Sequence, residues 1–227
     1  MKKVVVLTGA GISAESGINT FRDADGLWEG HDIMEVASPI GWHNNPALVL
    51  DFYNKRRSQL RSVSPNLAHK ALVTLEETHQ VTIVTQNVDD LHERAGSSNV
   101  LHLHGELLKV RSQFDEDLIL DWKTDLNIGD FCEYNSQLRP HIVWFGEEVP
   151  MLDRAIQITE QADILMIIGT SMQVYPAASL LQFAPQTTPI YFIDPKPAIA
   201  PKENLNILAE RATVGVPKVV KELVGGF

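Results

Sequence analysis

The feature that most constrains this chain is a short apolar strand leading straight into a glycine-rich loop near its start. Residues 4–9 (VVVLTG) continue into AGISAESG, in which Gly9, Gly11 and Ala14 form a G-x-G-x-x-A pattern. Glycines at such positions let backbone N–H groups approach a pyrophosphate at a helix N-terminus. A purely structural turn is the alternative, but the position after a first strand favours a dinucleotide-binding loop.

Further apolar runs of strand length follow, separated by helical patterns. Strands are predicted at 81–86, 99–105, 162–169 and 188–194, and helices at 46–62, 66–79, 151–161, 176–183 and 217–224. This alternation predicts an α/β fold with a parallel, doubly wound sheet. A dehydrogenase would next show a strand ending in an acid about 20 residues beyond the glycines. Residues 20–45 are loop-like instead, so the usual arrangement for hydride transfer is missing.

Two segments interrupt the alternation. Residues 23–63 carry turns and one long helix, and residues 106–139 are acidic with a mixed pattern. We expect them to form a small domain and cofactor-loop insertions, with 1–22, 64–105 and 140–227 forming the nucleotide-binding domain. Two long decorated loops are the alternative.

Composition narrows the class of protein. The net charge of −10 argues against a nucleic-acid surface, and the apolar runs are too short to span a bilayer. The basic start leads into a glycine loop rather than a signal-peptide pattern. A single cysteine, Cys132, excludes an intramolecular disulfide and a cysteine-rich zinc site. We therefore expect a cytoplasmic protein that binds neither nucleic acid nor membrane, with its oligomeric state left open.

Polar side chains follow two of the predicted strands. Gln86, Asn87 and Asp89 come directly after the strand at 81–86, and Gly-Thr-Ser occupies 169–171. Ligands of parallel sheets bind at these carboxyl ends, and amides with carboxylates suit a carboxamide and ribose hydroxyls. Asp89 as a helix N-cap is the alternative.

The heptapeptide LHLHGEL at 101–107 places His102 and His104 two residues apart. They could be a metal pair, two strand residues of the core, or one structural residue and one base. Both side chains share a face in an extended strand, so only position separates them. His104 lies at the predicted strand end beside Gly105, open to a ligand, and His102 lies one step deeper. A metal pair lacks a nearby carboxylate or a further histidine.

Five segments form one ordered set. They are GAGISAESGINTFRDADGLWEG, TQNVDDLHERAG, LHLHGEL, RPHIVWFGEEVP and GTSMQVYPAA. In this order and spacing they resemble the motifs of the sirtuin (Sir2) family of NAD-dependent protein lysine deacylases. The resemblance implies a Rossmann-like domain with a smaller inserted domain, NAD as co-substrate, and acyl-lysine-bearing proteins or peptides as partners.

The resemblance also implies roles for individual positions, carried over residue by residue. The cofactor residues are Gly9, Ala10, Gly11, Phe21, Arg22, Trp28, Gln86, Asn87, Asp89, Gly169, Thr170, Ser171, Asp194 and Ala212. Residues Val143, Phe145, Gly146 and Glu147 match the segment that pairs, strand-like, with the substrate peptide. Asp194 departs from the asparagine that the family usually has near the adenine ribose, although a carboxylate can still accept from ribose hydroxyls.

The chemistry implied by the resemblance uses His104 as general base, with Asn87 beside it in the catalytic set. The acyl-lysine oxygen attacks C1′ of the nicotinamide ribose, nicotinamide leaves, and His104 accepts a proton from the ribose hydroxyls. The products are deacylated lysine and O-acyl-ADP-ribose. A base that titrates near neutrality suits this step.

One helix bears on the acyl group. Pro46 can start this helix, which places Tyr53 and Arg56 on one face. The pair resembles the Tyr-x-x-Arg signature of sirtuins that remove succinyl and malonyl groups, and Ala37 matches the small residue that leaves room for them. In the alternative interpretation, Tyr53 packs in the core while Arg56 and Arg57 are solvated.

The main departure from the family pattern is the lack of the cysteines that bind zinc in many sirtuins. Many sirtuins carry C-x-x-C pairs between the histidine motif and the RPH motif, where this chain has only Cys132. We expect no structural zinc. The small domain would then rely on apolar side chains, namely Leu118, Leu120, Trp122, Leu126 and Phe131.

Two rival functions use the same pocket. An NAD glycohydrolase or ADP-ribosyltransferase would release nicotinamide without an acyl peptide. A nucleotide-binding module without catalysis has no evident use for the set Asn87, Asp89 and His104.

Overall fold

A computed structural model describes residues 1–19, 27–28, 30–172 and 177–225. The strands are β1 (Lys3–Thr8), β2 (Leu27–Trp28), β3 (His31–Asp32), β4 (Gln80–Thr85), β5 (Val100–His102), β6 (Gly105–Ser112), β7 (Ile119–Asp121), β8 (Leu138–Ile142), β9 (Ile164–Ile168), β10 (Ile190–Ile193) and β11 (Leu205–Leu208). The helices are α1 (Gly11–Ala14), α2 (Ile33–Val36), α3 (Pro39–Asn44), α4 (Pro46–Ser62), α5 (Leu67–Leu75), α6 (Leu91–Ala95), α7 (Leu152–Thr159) and α8 (Ala212–Gly225), with a 3₁₀ helix at Ala177–Phe183. No helix in these ranges is long and apolar enough to cross a membrane.

The main sheet has six parallel strands in the order β11-β10-β9-β1-β4-β5. In β1, Val4 and Val6 pack in the core under α5 and α8, while Val5 and Leu7 pack in a separate core on the other face. A strand that is buried on both faces is predominantly apolar, which is why residues 4–7 form a continuous apolar run rather than an alternating one. The predicted doubly wound α/β fold is confirmed.

The strand order reverses beside β1, and this places the site. β4 follows β1 on one side, and β9 lies on the other. In open parallel sheets the crevice at such a switch point, outside the carboxyl ends, is where ligands bind. Gly9, Gln86, Gly169 and Asp194 each come directly after a strand of this sheet.

A third core, distinct from the two that cover the main sheet, holds the remaining elements together. Helices α2 to α4 contribute buried residues such as Val49 and Phe52. The three-stranded antiparallel sheet β7-β6-β8 contributes others, such as Val110 and Leu138. The division into domains stays a prediction. β8 pairs with β6, so the small sheet extends past residue 139 to Ile142.

Several details differ from the sequence-based expectations. The predicted strand at 99–105 ends at His102, and the chain bends before β6 begins at Gly105. Residues 177–183 form a 3₁₀ helix, and α8 begins at Ala212 with Pro217 inside it. Neither β11 nor the small sheet was predicted, because their short strands are only partly apolar.

The expected apolar support of the small domain is only partly correct. Leu126 is fully buried, and Leu118 and Trp122 pack against the same core. Leu120 and Phe131, however, are 37% and 53% exposed, so those two assignments were wrong. The apolar residues of one short segment do not show by themselves which side of the strand faces the core.

Candidate functional site

A cleft of about 760 Å³ lies at the carboxyl edge of the main sheet, within the range of roughly 300–1,000 Å³ typical of small-molecule and cofactor sites. The predicted residues that line it are Gly9, Ala10, Gly11, Ala37, Tyr53, Arg56, Gln86, Asn87, Asp89, His104, Val143, Phe145, Gly146, Glu147, Gly169, Thr170, Ser171, Asp194 and Ala212. Phe21, Arg22 and the side chain of Trp28 lie outside the described residues. Residues chosen from separate motifs therefore share one cleft.

The glycines of the first loop pack against the loop after β9. Gly11 N–H donates to the Gly169 carbonyl oxygen at 2.8 Å. A Cβ on Gly9 would lie 2.7 Å from the Thr170 Cβ, and a Cβ on Gly11 would lie 2.6 Å from the Gly169 Cα. The glycines are thus needed for the contact between two loops at the cleft floor, a reason additional to ligand approach.

A buried polar network joins α1 to the segment after β4. The Ser13 hydroxyl donates to Asp89 Oδ2 at 3.0 Å and accepts from Asn87 Nδ2 at 3.2 Å. Burial raises the pKa of Asp89, although hydrogen bonds from Leu91 N–H and Ser13 oppose the shift. Asp89 also accepts from the Leu91 N–H at the start of α6, but the N-cap position of α6 is Asp90, so Asp89 is not the N-cap.

His104 lies in the bend between β5 and β6, and its ring is held by the segment after β4. Nδ1 is 3.0 Å from the Gln86 carbonyl oxygen. A carbonyl can only accept, so Nδ1 carries the proton in the neutral ring and Nε2 keeps its lone pair. Burial lowers the pKa of His104, partly offset by the Gln86 hydrogen bond. The ring is therefore neutral and able to accept a proton near pH 7.

The His102 ring is also held by a backbone carbonyl, but its pKa is shifted in the opposite direction from that of His104. Its Nδ1 is 3.0 Å from the Asn87 carbonyl oxygen, and its Nε2 is 2.8 Å from Glu93 Oε1. Burial by itself would lower the pKa of His102, but the Glu93 hydrogen bond and charge outweigh it and raise the pKa. Both ring nitrogens are engaged, as expected for a structural histidine.

The acyl-recognition pair lies on α4. Tyr53 is fully buried and Arg56 is 7% exposed, and both line the cleft. Arg57 is also fully buried, and it donates to the Leu107 carbonyl at 3.0 Å and to Asn54. The alternative in which both arginines are solvated is therefore wrong.

Glu147 is held within the protein as well as lining the cleft. Its carboxylate accepts from Arg139 at 2.7 and 3.1 Å, from Arg111 at 3.2 Å, and from the Trp144 N–H at 2.7 Å. Phe145 N–H donates to the Ala37 carbonyl at 3.0 Å. These bonds fix the 143–147 segment beside the predicted acyl pocket.

Two predicted cofactor residues line another part of the cleft: Asp194 follows β10, and Ala212 begins α8. Asp194 is 1% exposed and accepts from the Lys196 N–H at 2.9 Å. The side chain is thus held in place at the strand end.

Several cleft residues were not predicted from the sequence, among them Ser13 and Trp144. Ser13 lies inside the glycine motif, and Trp144 lies between two predicted substrate residues. The motif match assigned no role to Trp144. A tryptophan N–H that needs a buried partner is the signal that could have identified it.

The described residues contain no group of three or more His, Cys, Asp and Glu side chains that could hold a metal ion. The expected lack of zinc stays a prediction. The donors present suit NAD better: buried Asn87 and Asp89 lie at the strand ends, where a carboxamide and ribose hydroxyls can be hydrogen-bonded.

Comparisons with known proteins identify the family to which the chain is similar. The sequence profile of the Sir2 family matches residues 9–176. An NAD-dependent protein deacylase of Helicobacter pylori is 61% identical over 225 residues, covering 99% of this chain and 98% of that protein. A Sir2 homologue solved as an NAD complex has a TM-score of 0.89 and 39% identity, covering 99% of this chain and 90% of that one. A Sir2 protein bound to acetylated peptide has a TM-score of 0.77 and 28% identity, covering 98% and 93%.

Proposed function

The chain belongs to the Sir2 family, and we propose that it is an NAD-dependent protein lysine deacylase that accepts acidic acyl groups, succinyl and malonyl, as well as acetyl. The observation that carries the proposal is a single cleft that joins His104 to the buried Arg56. One group suits proton transfer, and the other suits a carboxylate at the distal end of an acyl chain.

NAD, when bound, supplies the ribose carbon to which the acyl oxygen is transferred. Residues 9–11 and 169–171, with Asp194 and Ala212, would hold its adenosine and phosphate part. Gln86, Asn87 and Asp89 would hold the nicotinamide ribose and carboxamide. We infer O-acyl-ADP-ribose, nicotinamide and the free lysine side chain as products.

His104 provides the proton acceptor. Its Nδ1–H bond to the Gln86 carbonyl leaves the Nε2 lone pair to take a proton from a ribose hydroxyl. Burial keeps the ring neutral, so the base is in its active form without first losing a proton.

Arg56 provides the acyl preference. Its guanidinium lines the cleft at 7% exposure, with its Cζ 5.7 Å from the centre of the Phe52 ring. A planar guanidinium matches a carboxylate with two parallel hydrogen bonds. An acetyl group has no such carboxylate and gains nothing from this pairing.

The test is an assay of the protein with NAD and lysine peptides that carry acetyl, succinyl or malonyl groups. Release of nicotinamide together with the deacylated peptide is expected for all three, and His104→Tyr should abolish it. Nicotinamide release that does not depend on acyl peptide would instead identify a glycohydrolase.

Arg56→Met tests the acyl preference. A hydrogen bond to a charged group contributes about 1.5–3 kcal/mol, so kcat/KM for succinyl peptide should fall about 10- to 160-fold relative to acetyl peptide. Arg57→Met is the matched control, because Arg57 is equally buried but bonds to Leu107 and Asn54. Equal losses on both peptides for Arg56→Met would refute the preference.

A further inference from the structure

Trp144 is held on three sides beside the predicted acyl pocket. Its side chain is 2% exposed, and its backbone N–H donates to Glu147 Oε2 at 2.7 Å. The Arg139 guanidinium lies 3.4 Å from the centre of its ring. Glu147 in turn accepts from Arg139 and Arg111, which belong to β8 and β6. The indole is therefore fixed by the small sheet.

The remaining polar atom of Trp144 is directed at the acyl pair. Its Nε1–H donates to the Tyr53 hydroxyl oxygen at 3.0 Å. A phenol that accepts one N–H can still donate its own hydrogen. Because the indole occupies one side of the oxygen, the hydroxyl hydrogen is turned away from Trp144.

Tyr53 and Arg56 are three residues apart on α4, and both line the cleft. A carboxylate placed against the Arg56 guanidinium is an acceptor for a neighbouring hydroxyl. The Tyr53 hydroxyl can donate to this carboxylate only if its hydrogen points toward the cleft. The hydrogen bond from the indole N–H favours that orientation.

We propose that Trp144 is a positioning residue for acyl selectivity: its indole N–H, held by Arg139 and Glu147, orients the Tyr53 hydroxyl as a donor to the carboxylate of an acidic acyl group. This rests on the proposed preference for such groups. Acyl selectivity then depends on a residue outside the Tyr-x-x-Arg pair, and the small sheet takes part in substrate selection.

The first test compares Trp144→Phe with Trp42→Phe. Trp42 of α3 is a matched control, because its ring packs 5.8 Å from that of Trp144 in the same core. We expect Trp144→Phe to lower the succinyl-to-acetyl ratio of kcat/KM about three- to tenfold, mainly through KM, as expected for loss of one neutral hydrogen bond. Trp42→Phe should leave the ratio as it is.

Tyr53→Phe, alone and combined with Trp144→Phe, gives a double-mutant cycle. It should lower the ratio by itself, and adding Trp144→Phe should then have no further effect. Equal changes on succinyl and acetyl peptides for Trp144→Phe, or a further fall in the Tyr53→Phe background, would overturn the proposal.

A second measurement does not depend on acyl substrate. In the ¹H–¹⁵N spectrum of the protein, the Trp144 indole resonance should shift and exchange faster with solvent in Tyr53→Phe. An unmoved resonance would overturn the positioning of Tyr53. The resonance could also shift in a protein that has no desuccinylase or demalonylase activity. That result would support the orientation of Tyr53, but it would overturn the proposed acyl preference and the selectivity role with it.

Discussion

Glu147 offers the sharpest test of how the small sheet is joined to the cleft. Arg139 and Arg111 are 8% and 6% exposed, and both bond to this one carboxylate. Glu147→Gln keeps the shape and removes the charge. Breaking a buried ion pair by removing one partner costs about 3–5 kcal/mol, because the remaining charge is left uncompensated.

The loss of folding free energy can be measured as a fall in melting temperature. For a chain of this size, 1 kcal/mol corresponds to about 2–4 °C in Tm, so we expect Glu147→Gln to melt roughly 6–20 °C below the wild type. Differential scanning calorimetry at neutral pH is the assay.

The chain contains a matched control at the same arginine. Glu116 lies 3.9 Å from Arg111 Nη1, but its side chain is 78% exposed. An exposed pair contributes about 0–1 kcal/mol, so Glu116→Gln should shift Tm by less than about 4 °C. Glu147→Gln melting within that same margin would refute the reasoning.

The pH dependence of the effect has a definite sign. Burial by itself would raise the pKa of Glu147, but bonds from Arg139 and the Trp144 N–H, with the charges of both arginines, outweigh it and lower the pKa. A carboxyl with a lower pKa in the folded state stabilises the fold above its unfolded-state pKa. That stabilisation is lost as the pH falls through the folded-state value, so the two melting curves should converge in acid.

Two further predictions concern the cleft itself. Because burial lowers the pKa of His104, the acid limb of the kcat/KM profile should lie below the ordinary histidine value of about 6.5, and a limb above it would contradict the neutral base. Gly169→Ala places a Cβ 2.4 Å from Ile12 N at a φ of +61°, so urea unfolding should show a loss of roughly 2–5 kcal/mol from overpacking and backbone strain. Gly129→Ala is its control: φ is +96°, no described atom lies within 4 Å, and an equal loss there would mean that packing is not the cause.

Much of the architecture followed from local patterns. Mainly apolar runs identified five of the six strands in the main sheet, because strands buried on both faces are predominantly apolar. The glycine loop and the polar residues after β4 located the cleft, since carboxyl ends of parallel strands meet at one edge. Helix α4 was predicted with its observed bounds, Pro46–Ser62, because proline favours a helix start and apolar spacing continues through it.

The elements that were missed have weak local signals. β11 has only half-buried or exposed residues, and β8 pairs with β6 from beyond the intervening β7. Their conformation depends on partners distant in sequence, which single-chain periodicity does not register.

By itself, the sequence determined the class of fold and the edge of the sheet where polar residues gather, because these follow from periodicity and strand order. Only the tertiary structure decided how each side chain is used. Trp144 reaches Tyr53 across 91 residues, and Ser13 reaches Asp89 across 76. Glu147 became an internal ion-pair partner as well as a cleft residue, and the proton of His104 was assigned by a carbonyl 18 residues away. Hydrogen bonds and ion pairs act over a few ångströms in space, so their partners are defined only once the chain has folded.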